Sequence, residues 1–242
     1  MARLYSLLLS HPARASRLML ALKGIDHEVV DLLPGLHPVL LRAAGFRGGT
    51  VPALKLSGER VQGSTRISRF LDRVERRSPL FPADPERRRA VEEAEAWGER
   101  TLQPVPRRIF RWGTVRGEEL RRWLAALSGI PAPGLAAKLN APVARRFARV
   151  SDASDDRVRS DLRELPAILD RVDGWIADGT LGGAEVNAAD CQLASAVRAL
   201  LAYEDLEPVL AGRASAELAT RLFPDYPGPI PLRLPHAWLP AA

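Results

Sequence analysis

Two short stretches of the sequence combine residue types that could bind a small anion. Val51-Pro52 opens the apolar run "VPALKL", and a proline at the start of a strand removes no bond from the sheet. Gly63-Ser64-Thr65 comes where a helical pattern begins, so that Ser64 lies at a helix amino terminus. Unpaired N–H groups and the positive end of the helix dipole favour an anion there. Each stretch alone also fits a purely structural interpretation, a turn for Val-Pro and a cap for the serine.

The elements that position these stretches form a strand–helix–strand pattern in the first 80 residues. Ser10 or His11 can cap the first helix, and Pro12 suits its first turn. The second strand follows this helix closely, which predicts a parallel crossover, and Ser57-Gly58 predicts a hairpin further on. The predicted elements are a strand over 3–9, a helix over 12–23, strands in "IDHEVVDLL", "VPALKL" and "ERVQ", and a helix over 64–76.

Composition limits the kind of protein further. A chain of 242 residues with 46% hydrophobic content can bury two modest cores. Its longest apolar runs are far shorter than the roughly 20 residues that span a bilayer, so we expect a cytoplasmic protein without a membrane segment. One cysteine, Cys191, and four scattered histidines leave no internal disulfide and no metal-ligand spacing to predict.

The excess of positive over negative charge lies in the first third of the chain. The net charge is +6, and residues 1–80 hold 13 basic and 6 acidic side chains. No long basic run or interleaved aromatic residues accompany this excess, so we do not expect a nucleic-acid partner. A small anionic ligand suits the pattern as well.

Several linked motifs resemble the glutathione S-transferase family. The stretch "LYSLLLSHPARASRLMLALKGIDHEVVDL" is similar to that family's opening strand, active-site turn, first helix and second strand, in a zeta-like form. "TVPAL" resembles its Val-Pro turn, and "VQGSTRISRFLDR" resembles its Glu/Gln-Ser-x-x-Ile helix start. The resemblance implies an α/β thioredoxin-like N-terminal domain of βαβ-ββα order over residues 1–80. An all-α helical-bundle domain with a proline-rich tail is then expected over residues 87–242.

The resemblance also implies how glutathione would bind. The bond into Pro52 would be cis, and Val51 would pair its N–H and C=O with the cysteinyl part of glutathione, as an added strand does. The helix end at Ser64 would receive the γ-glutamyl carboxylate. Gly63 stands where the family usually has Glu or Gln, which removes one contact to the ligand. The implied glutathione-binding residues are Thr50, Val51, Pro52, Gly63, Ser64 and Thr65.

Ser10 stands where serine-type and cysteine-type members of the family carry the group that activates the glutathione thiol. No cysteine is present there, which argues against the subgroup that forms a mixed disulfide. A hydroxyl donating to the thiolate is the remaining option. His11 takes the place of Ser10 if the alignment slips by one residue, and Ser10 as a simple helix cap stays open.

The second domain carries its own motif. Asn187 and Asp190 predict a capping box at the family's central buried helix, which assigns Asp190 and Cys191 to folding. Helices are expected over 87–113, with a break at "QPVPRR", and over 118–127, 135–150 and 158–176, the last kinked at Pro166.

A cleft between the domains would take the electrophile, with "RRIFRW" at 107–112 and the proline-rich tail as its walls. The chain is thus interpreted as a glutathione transferase that conjugates glutathione to a small electrophile, or isomerises or dehalogenates it. We expect a homodimer with glutathione as co-substrate and no metal. The alternative is a transferase-like binding or regulatory module with little or no catalysis.

Overall fold

The structure is a computed structural model, and it describes residues 1–240. Its first part follows the predicted order of strands and helices, with two differences. The elements are β1 Ala2–Ser6, α1 His11–Leu22, β2 His27–Asp31, α2 His37–Ala43, β3 Ala53–Leu56, β4 Glu59–Gln62 and α3 Ser64–Val74. The first strand ends at Ser6 rather than at residue 9, and a short helix, α2, lies in the connection after the second strand. The strands form one sheet in the order β2-β1-β3-β4. β1 and β2 are parallel, and β3 runs antiparallel to both β1 and β4. The predicted thioredoxin-like α/β fold of this half is confirmed.

Helices α1 and α3 carry apolar residues at i, i+3, i+4 and i+7, which predicts one buried face on each. The predicted faces are Ala15, Leu18, Met19 and Leu22 on α1, and Ile67, Phe70, Leu71 and Val74 on α3. On α1, Ala15 and Met19 are fully buried, and on α3 Ile67 and Leu71 are. Val74 departs from the prediction, because it lies at the end of α3 and is 43% exposed. The buried faces hold both helices against the sheet, so that the first residues of each helix lie beside the ends of the strands.

The second part is helical, as predicted. Its helices are α4 Pro85–Arg100, α5 Pro104–Arg116, α6 Glu118–Leu127, α7 Pro133–Leu139, α8 Ala141–Val150, α9 Asp155–Ala177, α10 Ala188–Leu200, α11 Glu207–Leu210 and α12 Ala214–Leu222. The segment 87–113 divides at the break expected in "QPVPRR", because Pro104 begins a new helix. The helix predicted over 135–150 is two helices, with Asn140 between them. α9 continues across Pro166 without ending.

The central helix α10 begins with the predicted capping box. The Asn187 side chain accepts from the N–H of Asp190 at 3.0 Å, and Asp190 accepts from the N–H of Asn187 at 2.9 Å. Cys191 is fully buried, and burial raises the pKa of its thiol well above the usual value. These contacts support the assignment of Asp190 and Cys191 to folding.

A buried polar network joins the two parts of the chain. Glu95 of α4 accepts hydrogen bonds from Ser68 of α3 at 2.7 Å and from Gln192 of α10 at 3.0 Å. Arg69 also pairs with Glu95. The network fixes α4 and the following α5 against the first part, and a cleft is left beside α5. The boundary between domains 1–80 and 87–242 stays a prediction, and the last two residues of the second domain lie outside the described residues.

None of the described helices combines the length and the apolar character needed to cross a bilayer.

Candidate active-site cleft

A cleft of about 690 Å³ lies between the two parts of the chain. Its walls come from the ends of β1 and β3, from the first turns of α1 and α3, and from α5, α6 and α8. Seven of the eight residues nominated from the sequence line it: Ser10, His11, Thr50, Val51, Pro52, Gly63 and Ser64. Thr65 does not line the cleft. Residues that are separated by up to 54 positions in sequence therefore share one cavity.

The main chain of Val51 is open to a ligand. The Val51–Pro52 bond is cis, as the resemblance implied. Within residues 1–240, neither the N–H nor the C=O of Val51 has a hydrogen-bond partner. Gln62 holds the preceding loop, because its side-chain amide donates to the carbonyls of Gly48 and Thr50, both at 3.1 Å. An extended peptide could pair with Val51 as an additional strand would.

The amino terminus of α3 faces the same cleft. Gly63 is the N-cap residue and Ser64 is the first helical residue, so the serine does not itself cap the helix. The Ser64 side chain is buried, and no protein group in the described chain hydrogen-bonds to its hydroxyl. The first N–H groups of α3 likewise have no protein acceptor there. Four donors are thus available to an anion.

The backbone explains why Gly63 differs from the usual Glu or Gln. Its φ angle of 91° lies in the region that glycine adopts readily and that other residues adopt with strain. This geometry lets its N–H donate to the Pro52 carbonyl at 2.9 Å, which ties α3 to the cis-proline turn.

Ser10 lies at the junction of β1 and α1. It is the N-cap of α1, and its hydroxyl oxygen accepts a long hydrogen bond of 3.4 Å from the N–H of Ala13. Its hydroxyl proton makes no hydrogen bond to the described protein, although Ser10 lines the cleft. The residue therefore caps the helix and still has a donor for a ligand.

His11 is buried beside Ser10 and is 5% exposed. Its Nε2 atom has no hydrogen-bond partner in the described chain. Burial and the nearby charge of Arg107 lower the pKa of His11 to about 3, against a smaller opposing effect of the Gln103 carbonyl. The ring is neutral at neutral pH, and with this pKa it is too weak a base to deprotonate a thiol. Its Nε2 atom is thus a buried polar group without a hydrogen bond in the described chain.

The segment 107–112, predicted as a wall of the cleft, lines it only in part. Arg107, Arg108, Phe110 and Arg111 line it, whereas Trp112 is buried in the core at 3% exposure. Sequence reasoning missed two groups that also line the cleft: His37 at the start of α2 and Phe147 on α8. The proline-rich tail does reach the cleft, as expected, through Tyr226 and Ile230.

Among residues 1–240, no three His, Cys, Asp or Glu side chains are grouped so that they could hold a metal ion.

The sequence of the first part was also compared with known protein families. Residues 4–79 match the family model described as "Glutathione S-transferase, N-terminal domain". A search of curated proteins finds no match to the chain.

Three solved structures illustrate the likeness over the whole chain. A glutathione S-transferase from Rhodospirillum rubrum is 20% identical with a TM-score of 0.61, covering 98% of each chain. One from Methylobacterium radiotolerans, solved with glutathione sulfonate, is 21% identical with a TM-score of 0.57, covering 97% of this chain and 96% of its own. A glutathione transferase from Populus trichocarpa is 15% identical with a TM-score of 0.62, covering 93% and 94%. The chain has the two-part fold of these glutathione transferases.

Proposed function

We propose that the chain is a glutathione transferase that binds glutathione in the first part of the cleft and activates its thiol for attack on a small electrophile. The observation that carries this proposal is the convergence of three features on one cavity. They are the unpaired main chain of Val51, the unpaired donors of Ser64 and α3, and the hydroxyl of Ser10. Glutathione presents matching groups: an extended peptide, an α-carboxylate and a thiol.

In this proposal the cysteinyl part of glutathione pairs with Val51, between Thr50 and Pro52. The γ-glutamyl carboxylate lies at the amino terminus of α3, where Ser64 and the N–H groups of the first turn donate to it. Gly63 contributes backbone there rather than a side chain. Thr65 would contribute only its N–H, since its side chain does not line the cleft.

Ser10 is the proposed activator of the thiol, as in serine-type transferases. A hydroxyl that donates to sulfur stabilises the thiolate and lowers the thiol pKa. The amino terminus of α1 adds its dipole at the same place. In this proposal His11 is a second hydrogen-bonding partner for sulfur through Nε2, and its lowered pKa argues against a role as the general base.

The reaction that this arrangement supports is nucleophilic attack by the thiolate on an electrophilic carbon. With chlorodinitrobenzene, a carbon–sulfur bond forms, the carbon–chlorine bond breaks, chloride leaves with the bonding electrons, and the thiol proton goes to solvent. Homodimer formation and a cytoplasmic location belong to the same proposal.

The test is a conjugation assay with glutathione and chlorodinitrobenzene on the wild type, Ser10→Ala and His11→Asn. We expect wild-type turnover and a fall in kcat of about tenfold or more for Ser10→Ala, because loss of one hydrogen bond to a charged group costs about 1.5 to 3 kcal/mol. A smaller fall is expected for His11→Asn. Full turnover in Ser10→Ala would show that serine is not the activator.

One observation favours a second candidate, a binding or regulatory module without catalysis. The Ser10 hydroxyl already caps α1, and Gly63 lacks a side chain for the ligand. Retention on immobilised glutathione together with no conjugation above the uncatalysed rate would select this candidate.

A further inference from the structure

The cleft extends beyond the proposed glutathione site, and its extension is rich in arginine. Arg107 and Arg111 both line it from α5. They are four residues apart and therefore lie on the same face, about 6 Å from one another along the helix axis. Arg107 lies nearer His11, whose pKa it lowers, and Arg111 lies nearer α8.

Neither of these two arginines is in direct contact with a carboxylate of the described chain. Within residues 1–240 neither of them forms an ion pair, and Arg107 makes no hydrogen bond. Arg111 donates to the Phe147 carbonyl at 3.0 Å and to the hydroxyl of Ser151. Arg108, between them, is different, because it forms a two-pronged pair with Asp161 at 2.5 and 2.6 Å.

Glu99 and Asp152 line the cleft without forming an ion pair to either arginine in the described chain. Burial and the charge of Arg108 lower the pKa of Arg107, and the more weakly acting charge of Glu99 raises it. Arg121 donates to backbone carbonyls, which ties helices together. Burial and the charge of Arg107 lower the pKa of Arg111 to about 10. Guanidinium groups stay protonated in proteins, so both arginines are charged at neutral pH. Two like charges held close in a partly buried cavity cost free energy, which a bound anion would offset.

A third polar group from the opposite part of the chain reaches the same end of the cleft. His37 is 6% exposed, and its Nδ1 atom has no partner in the described chain. Its ring stacks on Phe147 with 5.3 Å between ring centroids. Burial and the charge of Arg111 lower its pKa to about 4. The remaining wall is apolar, formed by Phe110 and by Val143 and Ala144 of α8.

We propose that this end of the cleft is the subsite for the second substrate, and that it takes an electrophile carrying a carboxylate or similar oxyanion on an apolar body. Arg107 and Arg111 bind the oxyanion, and His37 adds a hydrogen bond. Phe110 and the α8 residues contact the apolar body. The assignment rests on the proposed transferase function, since that function supplies the need for a second substrate.

The test uses binding, so that it does not depend on catalysis. The full chain is titrated by calorimetry with dinitrobenzoate and with dinitrobenzamide, which share a ring and differ in charge and have no leaving group to displace. The variants are Arg107→Gln and Arg111→Gln. Arg100→Gln is the matched control, because Arg100 is exposed at the end of α4 and does not line the cleft.

We expect the wild type to bind dinitrobenzoate about tenfold or more tightly than the amide. Each cleft variant should lose about tenfold or more in affinity for the benzoate, with affinity for the amide changed by less than about twofold. Arg107→Gln carries particular weight, because Arg107 makes no hydrogen bond that folding could need. Equal affinity of the wild type for the two compounds, or an equal loss of both in the variants, would overturn the proposal.

Titration with glutathione separates this proposal from the proposed function. Arg107→Gln should bind glutathione with nearly wild-type affinity; a selective loss of glutathione binding would assign Arg107 to the glutathione site and overturn the subsite. If the wild type fails to bind glutathione, the transferase function is contradicted, and the dinitrobenzoate comparison still decides whether the anion subsite exists.

Discussion

Ser64 and Ser68 lie one turn apart on α3, and their contacts predict opposite effects of the same substitution. The Ser64 hydroxyl faces the cleft without a protein partner in the described chain. The Ser68 hydroxyl donates to the buried carboxylate of Glu95 at 2.7 Å and does not line the cleft. Ser64→Ala should therefore weaken glutathione binding and leave stability unchanged, whereas Ser68→Ala should lower stability and leave binding unchanged.

The size of each expected effect follows from the group to which the serine hydroxyl donates. A hydrogen bond to a carboxylate contributes about 1.5 to 3 kcal/mol, so Ser64→Ala should raise the Kd for glutathione about tenfold or more. Ser68→Ala removes one donor from Glu95, whose side chain is fully buried. A loss of about 2 kcal/mol corresponds to a fall in Tm of about 4 to 8 °C for a chain of this length.

Calorimetric titration with glutathione and thermal unfolding without ligand, measured on both variants, form the assay. Each variant serves as the control for the other, because the two changes remove the same atom from the same helix. The reasoning is refuted if Ser64→Ala binds glutathione like the wild type, or if the two variants lose stability to the same extent.

Four further predictions concern stability. Gly98→Ala should destabilise the chain by about 1 to 3 kcal/mol in urea unfolding, since the new Cβ would lie 2.7 Å from Leu193 Cδ1. Gly174→Ala, also within a helix but with nothing within 4 Å, should stabilise it by about 0.5 to 1 kcal/mol, and a loss there would contradict the argument. Asp190→Ala should cost about 2 to 5 kcal/mol in the same assay, because two backbone N–H groups lose their acceptor; a cost under about 0.5 kcal/mol would refute the capping role. The pKa of His11 is about 3 in the folded chain and near 6.5 in the unfolded chain. The contribution of this group to the free energy of unfolding is therefore complete above about pH 6.5. It falls by about 1.4 kcal/mol per pH unit as the pH drops from there towards 3. Unfolding curves at several pH values should be less steeply acid-dependent for His11→Asn, and an unchanged dependence would contradict the buried neutral ring.

The first part of the fold was predictable because its signals are local. Apolar runs of strand length, a turn at Ser57-Gly58 and helix starts at Pro12 and Ser64 each lie within a few residues of the element that they define. The capping box at Asn187 is local in the same way.

The helix breaks of the second part were predictable only in part. The proline-rich stretch at 103–108 predicts the break before α5, and the apolar spacing across Pro166 predicts that α9 continues through it. Leu162, Leu165 and Leu169 are fully buried around Pro166 and hold α9 together. The break at Asn140 was missed, although Pro142 suits the first turn of α8.

The residues of the candidate site also differ in whether a local sequence pattern indicates them. Ser10, Val51 and Ser64 belong to linear motifs and were nominated from the sequence. His37 and Phe147 line the cleft because α8 packs against the start of α2, more than 100 residues away. No pattern near either residue indicates that contact, so the anion-binding end of the cleft emerges only from the three-dimensional structure.

The central claim is that Val51 and Ser64 bind one glutathione molecule, and a crystal structure of the protein with glutathione tests it most directly. The account predicts main-chain hydrogen bonds between the cysteinyl residue and Val51, a carboxylate at Ser64, and the sulfur atom within hydrogen-bond distance of Ser10 or His11. A cleft without glutathione at saturating concentration, or glutathione bound away from these residues, would contradict it.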